Sequence, residues 1–154
     1  MYQLVVRVLA SLPLVALLSG VAIADSQEIL IDDVWARATV GASRPGVVYL
    51  SLRNTGGIAV NLTAIRTDIA ARAEAHISET DANGVSTMRP AGIVAIRAGT
   101  NVDFAPGGLP IMLMDLVEPL VEGETFELDL VFDDGGILTV SARVRGIAAT
   151  GPRD

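Results

Sequence analysis

One histidine and three methionines beyond the first residue are the groups of this chain best suited to bind a soft metal ion. They are His76, Met88, Met112 and Met114. Imidazole and thioether groups are neutral, soft donors, and together they favour Cu(I) over hard cations. Taken singly, the histidine is most simply a surface residue and each methionine most simply fills the core. Because all four fall within one short part of the chain, we predict that they form a Cu(I) site.

Two of these methionines lie on alternate positions of an apolar segment that follows the pair Gly107-Gly108. Alternate residues of a β-strand share a face, so Met112 and Met114 are expected on one face and Leu113 on the other. The two glycines are expected to let the backbone approach closely at this point. The segment therefore predicts a strand that presents two sulfur atoms side by side.

The composition excludes several other kinds of function. The chain has no cysteine, so disulfides, thiolate metal sites and cysteine nucleophiles are excluded. With a single histidine, a catalytic zinc site would need several carboxylates, and no carboxylate spacing suggests one. There is no Gly-x-Ser-x-Gly elbow, and an enzyme is not predicted. The net charge of −7 and the absence of lysine disfavour binding to nucleic acid.

The N-terminal sequence is typical of a secretory signal peptide. Arg7 precedes an apolar run over residues 8–23, and Ala22-Ile23-Ala24 forms a small-x-small cleavage site. The alternative is an uncleaved membrane anchor, which the shortness of the run and Pro13 disfavour. We predict a signal peptide at 1–24, one domain at 25–145 with no membrane span, and a flexible tail at 146–154.

The rest of the chain is predicted to be all-β. Short apolar runs alternate with Gly, Pro, Asn and Asp clusters, a pattern typical of a β-sandwich or barrel. The alanines of residues 69–76 favour a helix, but their position favours a strand near 73–77. Trp35 and Tyr49 are expected in the core, and Arg37 on a solvated strand face. The remaining predicted strands are 29–38, 47–53, 59–67, 85–89, 93–96, 102–104, 111–116, 126–132 and 137–144.

The order of motifs over residues 29–144 resembles the periplasmic copper chaperone family PCuAC, which is associated with assembly of the copper A centre of cytochrome c oxidase. The resemblance implies a cupredoxin-like β-sandwich or barrel that acts as a monomer in the periplasm. It also implies a Cu(I) carrier that delivers its ion to an apo cuproprotein, such as a cytochrome c oxidase subunit. The motifs that carry it are Trp35-Ala36-Arg37, the stretch 49–56, Ala73-Glu74-Ala75-His76, Met88-Arg89-Pro90 and the stretch 107–116.

The copper pattern of that family is His, a Met about ten residues on, twenty-one residues, and then His-x-Met. Here eleven residues separate His76 from Met88, and twenty-one separate Met88 from position 110. Position 110 is proline, whose side chain has no donor atom, while Met112 matches the final methionine. A weakened Cu(I) site is expected, and Cu(II) binding is disfavoured. The alternative is a degenerate module that keeps the scaffold without useful copper binding and uses its surface for a protein partner.

Overall fold

The structure, a computed structural model, describes residues 28–153, and these residues are all-β, with no α-helix. The predicted signal peptide lies outside the described residues. Within 28–153 no helix is long and apolar enough to cross a membrane. The ten strands are β1 (Ile29–Arg37), β2 (Gly46–Asn54), β3 (Val60–Arg66), β4 (Ala70–Thr80), β5 (Ser86–Pro90), β6 (Val94–Ile96), β7 (Asn101–Phe104), β8 (Ile111–Leu116), β9 (Thr125–Phe132) and β10 (Ile137–Arg145).

Seven of the strands close into a barrel, in the order β4, β8, β2, β1, β10, β9 and β3. The barrel is closed by the pairing of β3 with β4 at Ile65 and Ala73. Strand β1 pairs with β10 in parallel and with β2 antiparallel. The three shorter strands extend the edges, since β5 pairs with β4, β6 with β3 and β7 with β2. This architecture confirms the predicted all-β, cupredoxin-like single domain.

The barrel interior is filled by alternate residues of the strands, as a half-buried strand requires. In β8, Ile111 and Leu113 are fully buried, whereas Met112 and Met114 are half-buried on the other face, as predicted. Phe104 and Phe132 are the largest fully buried side chains. Burial of a side chain of this size contributes about 1.5–3 kcal/mol. A continuous apolar core therefore stabilises this cysteine-free chain.

The ambiguous alanine-rich segment is strand β4, which runs from Ala70 to Thr80. Ala73 and Ala75 face the core, and Glu74 and His76 lie on the other face. Strand β4 is hydrogen-bonded to β8 along one edge and to β5 along the other. Tertiary pairing therefore overrides the local preference of alanine for helix.

Of two predictions about the first two strands, that of buried aromatic residues is confirmed and that of a solvated Arg37 is wrong. Trp35 and Tyr49 are buried in a second, smaller core cluster with Ala149, with ring centroids 4.6 Å apart. Arg37 is half-buried rather than solvated, because its guanidinium lies over the Tyr49 ring and its Nη2 donates to the Ala149 carbonyl at 2.8 Å. The alternation of β1 explains both, since its neighbour Ala36 takes the core position. The cluster anchors the C-terminal segment at Ala149, and flexibility beyond that anchor stays a prediction.

Asn54 is the buried polar residue that joins the loops at one end of the barrel. Its Nδ2 donates to the carbonyls of Ile58 and Ile96 at 2.8 and 2.9 Å, and its Oδ1 accepts from the Gly56 N–H. We expect Asn54→Ala to lower the free energy of unfolding by about 2–4 kcal/mol, because it leaves buried backbone groups without partners. Denaturant unfolding measures the change, with the exposed Asn101→Ala as control. Equal stability of the two variants would contradict this role.

Candidate metal centre

The predicted ligands lie on the outer face of three neighbouring strands, β5, β4 and β8. His76 lies on the central strand and is paired with Pro90 of β5. On its other side, the His76 N–H donates to the carbonyl of Pro110 at 2.9 Å. Residues directly opposite each other on antiparallel strands have their side chains on the same face. The imidazole is therefore flanked by a proline on each neighbouring chain segment.

Position 110, where the sequence departs from the PCuAC pattern, lies directly opposite His76. The β4–β8 register pairs Ala75 with Ile111, and the ladder continues through the His76–Pro110 hydrogen bond. It extends to the Ser78 N–H, which donates to the Gly108 carbonyl at 3.0 Å. Opposed residues have Cβ atoms about 4.5–5.5 Å apart. A histidine at position 110 would thus lie beside His76.

The glycine turn before β8 has a different role from the one predicted. Gly107 has φ +78°, which favours glycine, but a Cβ atom there would meet nothing within 4 Å. A Cβ atom on Gly108 would meet only the Ala105 carbonyl oxygen, at 3.7 Å. The prediction of a close backbone approach is therefore wrong. Gly107 serves the turn between β7 and β8, two strands that pair one after the other with β2.

Met88 and Met112 lie diagonally across from His76, on two strands that pair with β4. Met88 lies opposite Ser78 on β5, and Met112 lies opposite Glu74 on β8. Each is a diagonal neighbour of His76, at about 7–8 Å between Cα atoms. Met88 is 56% exposed and Met112 is half-buried. The structure therefore places one thioether on each side of the imidazole along β4.

Met114 is the predicted ligand that the structure does not bring to His76. It lies opposite Arg72, two residues beyond Met112 on the side away from His76. The Arg72 guanidinium forms an ion pair with Asp115 at 3.2 Å. Distance from the imidazole and a neighbouring positive charge both disfavour Met114 as a ligand for a cation.

The loop between β4 and β5 determines which residues of the two strands pair in the hairpin that contains His76 and Met88. The Asp81 carboxylate accepts hydrogen bonds from the backbone N–H groups of Val85 and Asn83, at 2.9 and 2.8 Å. These hydrogen bonds, that of Val85 first, lower the pKa of Asp81 below its usual value. A second ladder contact runs from the Asp81 N–H to the Val85 carbonyl. The loop thus fixes the register that pairs His76 with Pro90.

The His76 ring nitrogen Nε2 is buried and has no hydrogen-bond partner, while the side chain as a whole is 13% exposed. Its neighbour is the Oε2 of Glu74 at 3.6 Å, which is beyond hydrogen-bond distance. A buried ring nitrogen without a partner is unusual and fits a metal ligand. Glu74 is not among the ligands predicted from the sequence, although the Glu74-x-His76 spacing places both side chains on one strand face.

Hard-metal ligands do not cluster in this part of the molecule. Across residues 28–153 there is no group of three or more His, Cys, Asp and Glu side chains that could hold an ion. The arrangement suits a soft ion rather than Mg²⁺ or Ca²⁺.

Solved structures define the class to which this fold belongs. The apo PCuAC domain of PmoF2 superimposes with a TM-score of 0.65 at 22% identity, over 80% of this chain and 94% of that domain. Cu(I)-bound DR1885 of Deinococcus radiodurans superimposes with a TM-score of 0.58 at 25% identity, over 78% of this chain and 81% of that protein. The protein thus has the fold of PCuAC domains, of which copper-bound examples are solved.

Sequence relatives give the family. The profile described as putative lipoprotein LpqE-like matches residues 29–144, and the chain belongs to this PCuAC-like family. The putative lipoprotein Lxx21020 of Leifsonia xyli is 30% identical over 76% of this chain and 69% of its own length. The uncharacterized protein RP573 of Rickettsia prowazekii is 32% identical over 71% of this chain, which spans 62% of that relative.

Proposed function

We propose that this protein is a Cu(I)-binding chaperone and not an enzyme. The observation that carries the proposal is the buried Nε2 of His76, which has no hydrogen-bond partner and is flanked on one strand face by Met88 and Met112. Imidazole and thioether are the donors that Cu(I) prefers in a chain without cysteine. Membership in a PCuAC-like family, with copper-bound structures of the same fold, supports the proposal.

Transfer of the ion would proceed by ligand exchange. Every residue of β5 is exposed, so the hairpin that carries Met88 has few packing contacts to oppose its bending. Such bending would bring its thioether to an ion held by His76 and Met112. Thioethers are neutral and bind Cu(I) without losing a proton. A recipient with thiolates or additional imidazoles would displace Met88 first, because this ligand is the most exposed of the three.

The N-terminal sequence supports a proposal for the setting of this activity. We propose export through the signal peptide at 1–24 and action in the periplasm as a monomer. The recipient is an apo cuproprotein, and the copper A subunit of cytochrome c oxidase has the kind of site that would accept Cu(I). Position 110 is proline, so the site lacks the second imidazole of the family pattern. We expect it to bind Cu(I) more weakly than a site with all four ligands, which favours release of the ion over its storage.

The proposal is tested by titrating residues 25–154 with Cu(I) against a competing chelator. We expect one weak site per chain, and Met88→Ala or Met112→Ala each to lower the Cu(I) affinity by about tenfold or more, because each removes a soft ligand. Met114→Ala is the matched control, since Met114 lies beside Arg72 and away from His76. Equal losses in all three variants would contradict the assignment of ligands.

The second candidate is a copper-free interaction module, which the proline at position 110 favours. A groove of about 330 Å³ opens between β3, β4 and residues 90–94 and is lined mainly by aliphatic side chains. It contains none of the predicted ligands. Wild-type protein that binds no more Cu(I) than a variant lacking Met88, Met112 and Met114 would contradict the chaperone and favour this alternative.

A further inference from the structure

We propose that Glu74 is a copper ligand, which supplies the donor that the missing second imidazole would have given. This inference rests on the proposed function and extends it, since it changes which oxidation states of copper the site accepts. The site then consists of a nitrogen from His76, an oxygen from Glu74 and a sulfur from Met112. Met88, on the exposed hairpin, is the additional ligand that is exchanged.

Glu74 and His76 place an oxygen and a nitrogen donor close together. The Glu74 Oε2 lies 3.6 Å from the His76 Nε2, too far for a hydrogen bond. First-row metal ions bind imidazole nitrogen and carboxylate oxygen at about 2.0–2.1 Å. The gap of 3.6 Å is therefore compatible with an ion shared by the two side chains.

The register between β4 and β8 places Met112 beside Glu74. Glu74 is the direct cross-strand neighbour of Met112, so their Cβ atoms are about 4.5–5.5 Å apart on the same face as His76. The three donors thus lie at adjacent positions of two paired strands.

The charged side chains around Glu74 leave its carboxylate available to a cation. Within residues 28–153, the nearby arginines have other carboxylate partners, since Arg72 pairs with Asp115 and Arg89 with Glu79. Among the same residues, Glu74 forms a long ion-pair contact with His76, at 3.6 Å. Its carboxylate is 42% exposed and can accept a cation from solvent.

A carboxylate changes the preference of the site. Carboxylate oxygen is a harder donor than thioether or imidazole, and Cu(II) favours nitrogen and oxygen ligands more than Cu(I) does. The proposal therefore departs from the expectation from the sequence that Cu(II) binding is disfavoured. We expect the protein to bind both oxidation states, with Glu74 contributing more to the affinity for Cu(II).

The test compares wild-type protein with Glu74→Gln, which keeps the size of the side chain and removes its charge. The affinities for Cu(I) and Cu(II) are measured separately by chelator competition, and the Cu(II) spectrum by electron paramagnetic resonance. We expect Glu74→Gln to lower the Cu(II) affinity by about tenfold or more, to lower the Cu(I) affinity less, and to change the Cu(II) spectrum. Glu79→Gln on the other face of β4 is the matched control, with no expected change.

The outcomes separate the two proposals. Wild-type copper binding that Glu74→Gln leaves unchanged for both ions would overturn the role of Glu74 and leave the Cu(I) chaperone standing. Absence of copper binding by the wild-type protein would overturn both. Glu74→Asp keeps the carboxylate, so partial recovery of Cu(II) affinity in this variant supports ligation, whereas a loss equal to that of Glu74→Gln in a folded protein opposes it.

Discussion

His76→Ala is expected to remove Cu(I) binding, with a loss of affinity above about a hundredfold. The reason is that His76 is the only histidine and supplies the only nitrogen ligand that we assign to the site. Loss of groups that merely orient a ligand already costs about 10–100-fold, so loss of the central ligand costs more. Chelator competition with Cu(I) measures the effect. Affinity within about threefold of wild type would contradict the site.

The control for this substitution must separate ligation from folding. His76 is mostly buried, so its truncation can also lower the free energy of unfolding. Circular dichroism and denaturant unfolding of the apo variant establish that the barrel is intact. His76→Gln keeps a polar side chain of similar size, and we expect it to lose Cu(I) binding as well. A stable His76→Gln variant that still binds Cu(I) at wild-type affinity would assign the ion to other residues.

Pro110→His is expected to raise the Cu(I) affinity by about 10–100-fold, the largest gain that a single substitution offers here. The new imidazole would lie directly opposite His76, about 4.5–5.5 Å away between Cβ atoms, and two positions from Met112 on the same face. The substitution also restores a backbone N–H, which proline lacks, to the ladder between β4 and β8. Chelator competition measures the gain.

A matched control comes from the same turn. Pro106 is exposed and precedes Gly107, away from the paired part of the segment, so Pro106→His adds an imidazole without placing it opposite His76. We expect that variant to bind Cu(I) as the wild type does. Pro110 is buried, so the free energy of unfolding of Pro110→His is measured in parallel. A folded Pro110→His variant with unchanged Cu(I) affinity would contradict the geometry of the site.

Much of the fold could be predicted from the sequence because strand alternation is local. The 2-residue period of Ile111, Leu113 and the flanking methionines already indicates which side chains face the core. Turn residues between the apolar runs mark most strand ends to within one or two residues. Residues 69–76 are ambiguous because alanine favours helix locally, and only pairing with β8 on one edge and with β3 on the other decides for a strand.

The sequence by itself determined which donors the chain has: one imidazole, three thioethers and no thiol, with proline where a second imidazole would stand. Only the tertiary structure decided which of them meet. Cross-strand register placed position 110 opposite His76, put Met112 beside Glu74, and set Met114 beside Arg72 instead. The physical reason is that alternation along a strand depends on neighbouring residues, whereas register depends on hydrogen bonds between segments far apart in the chain.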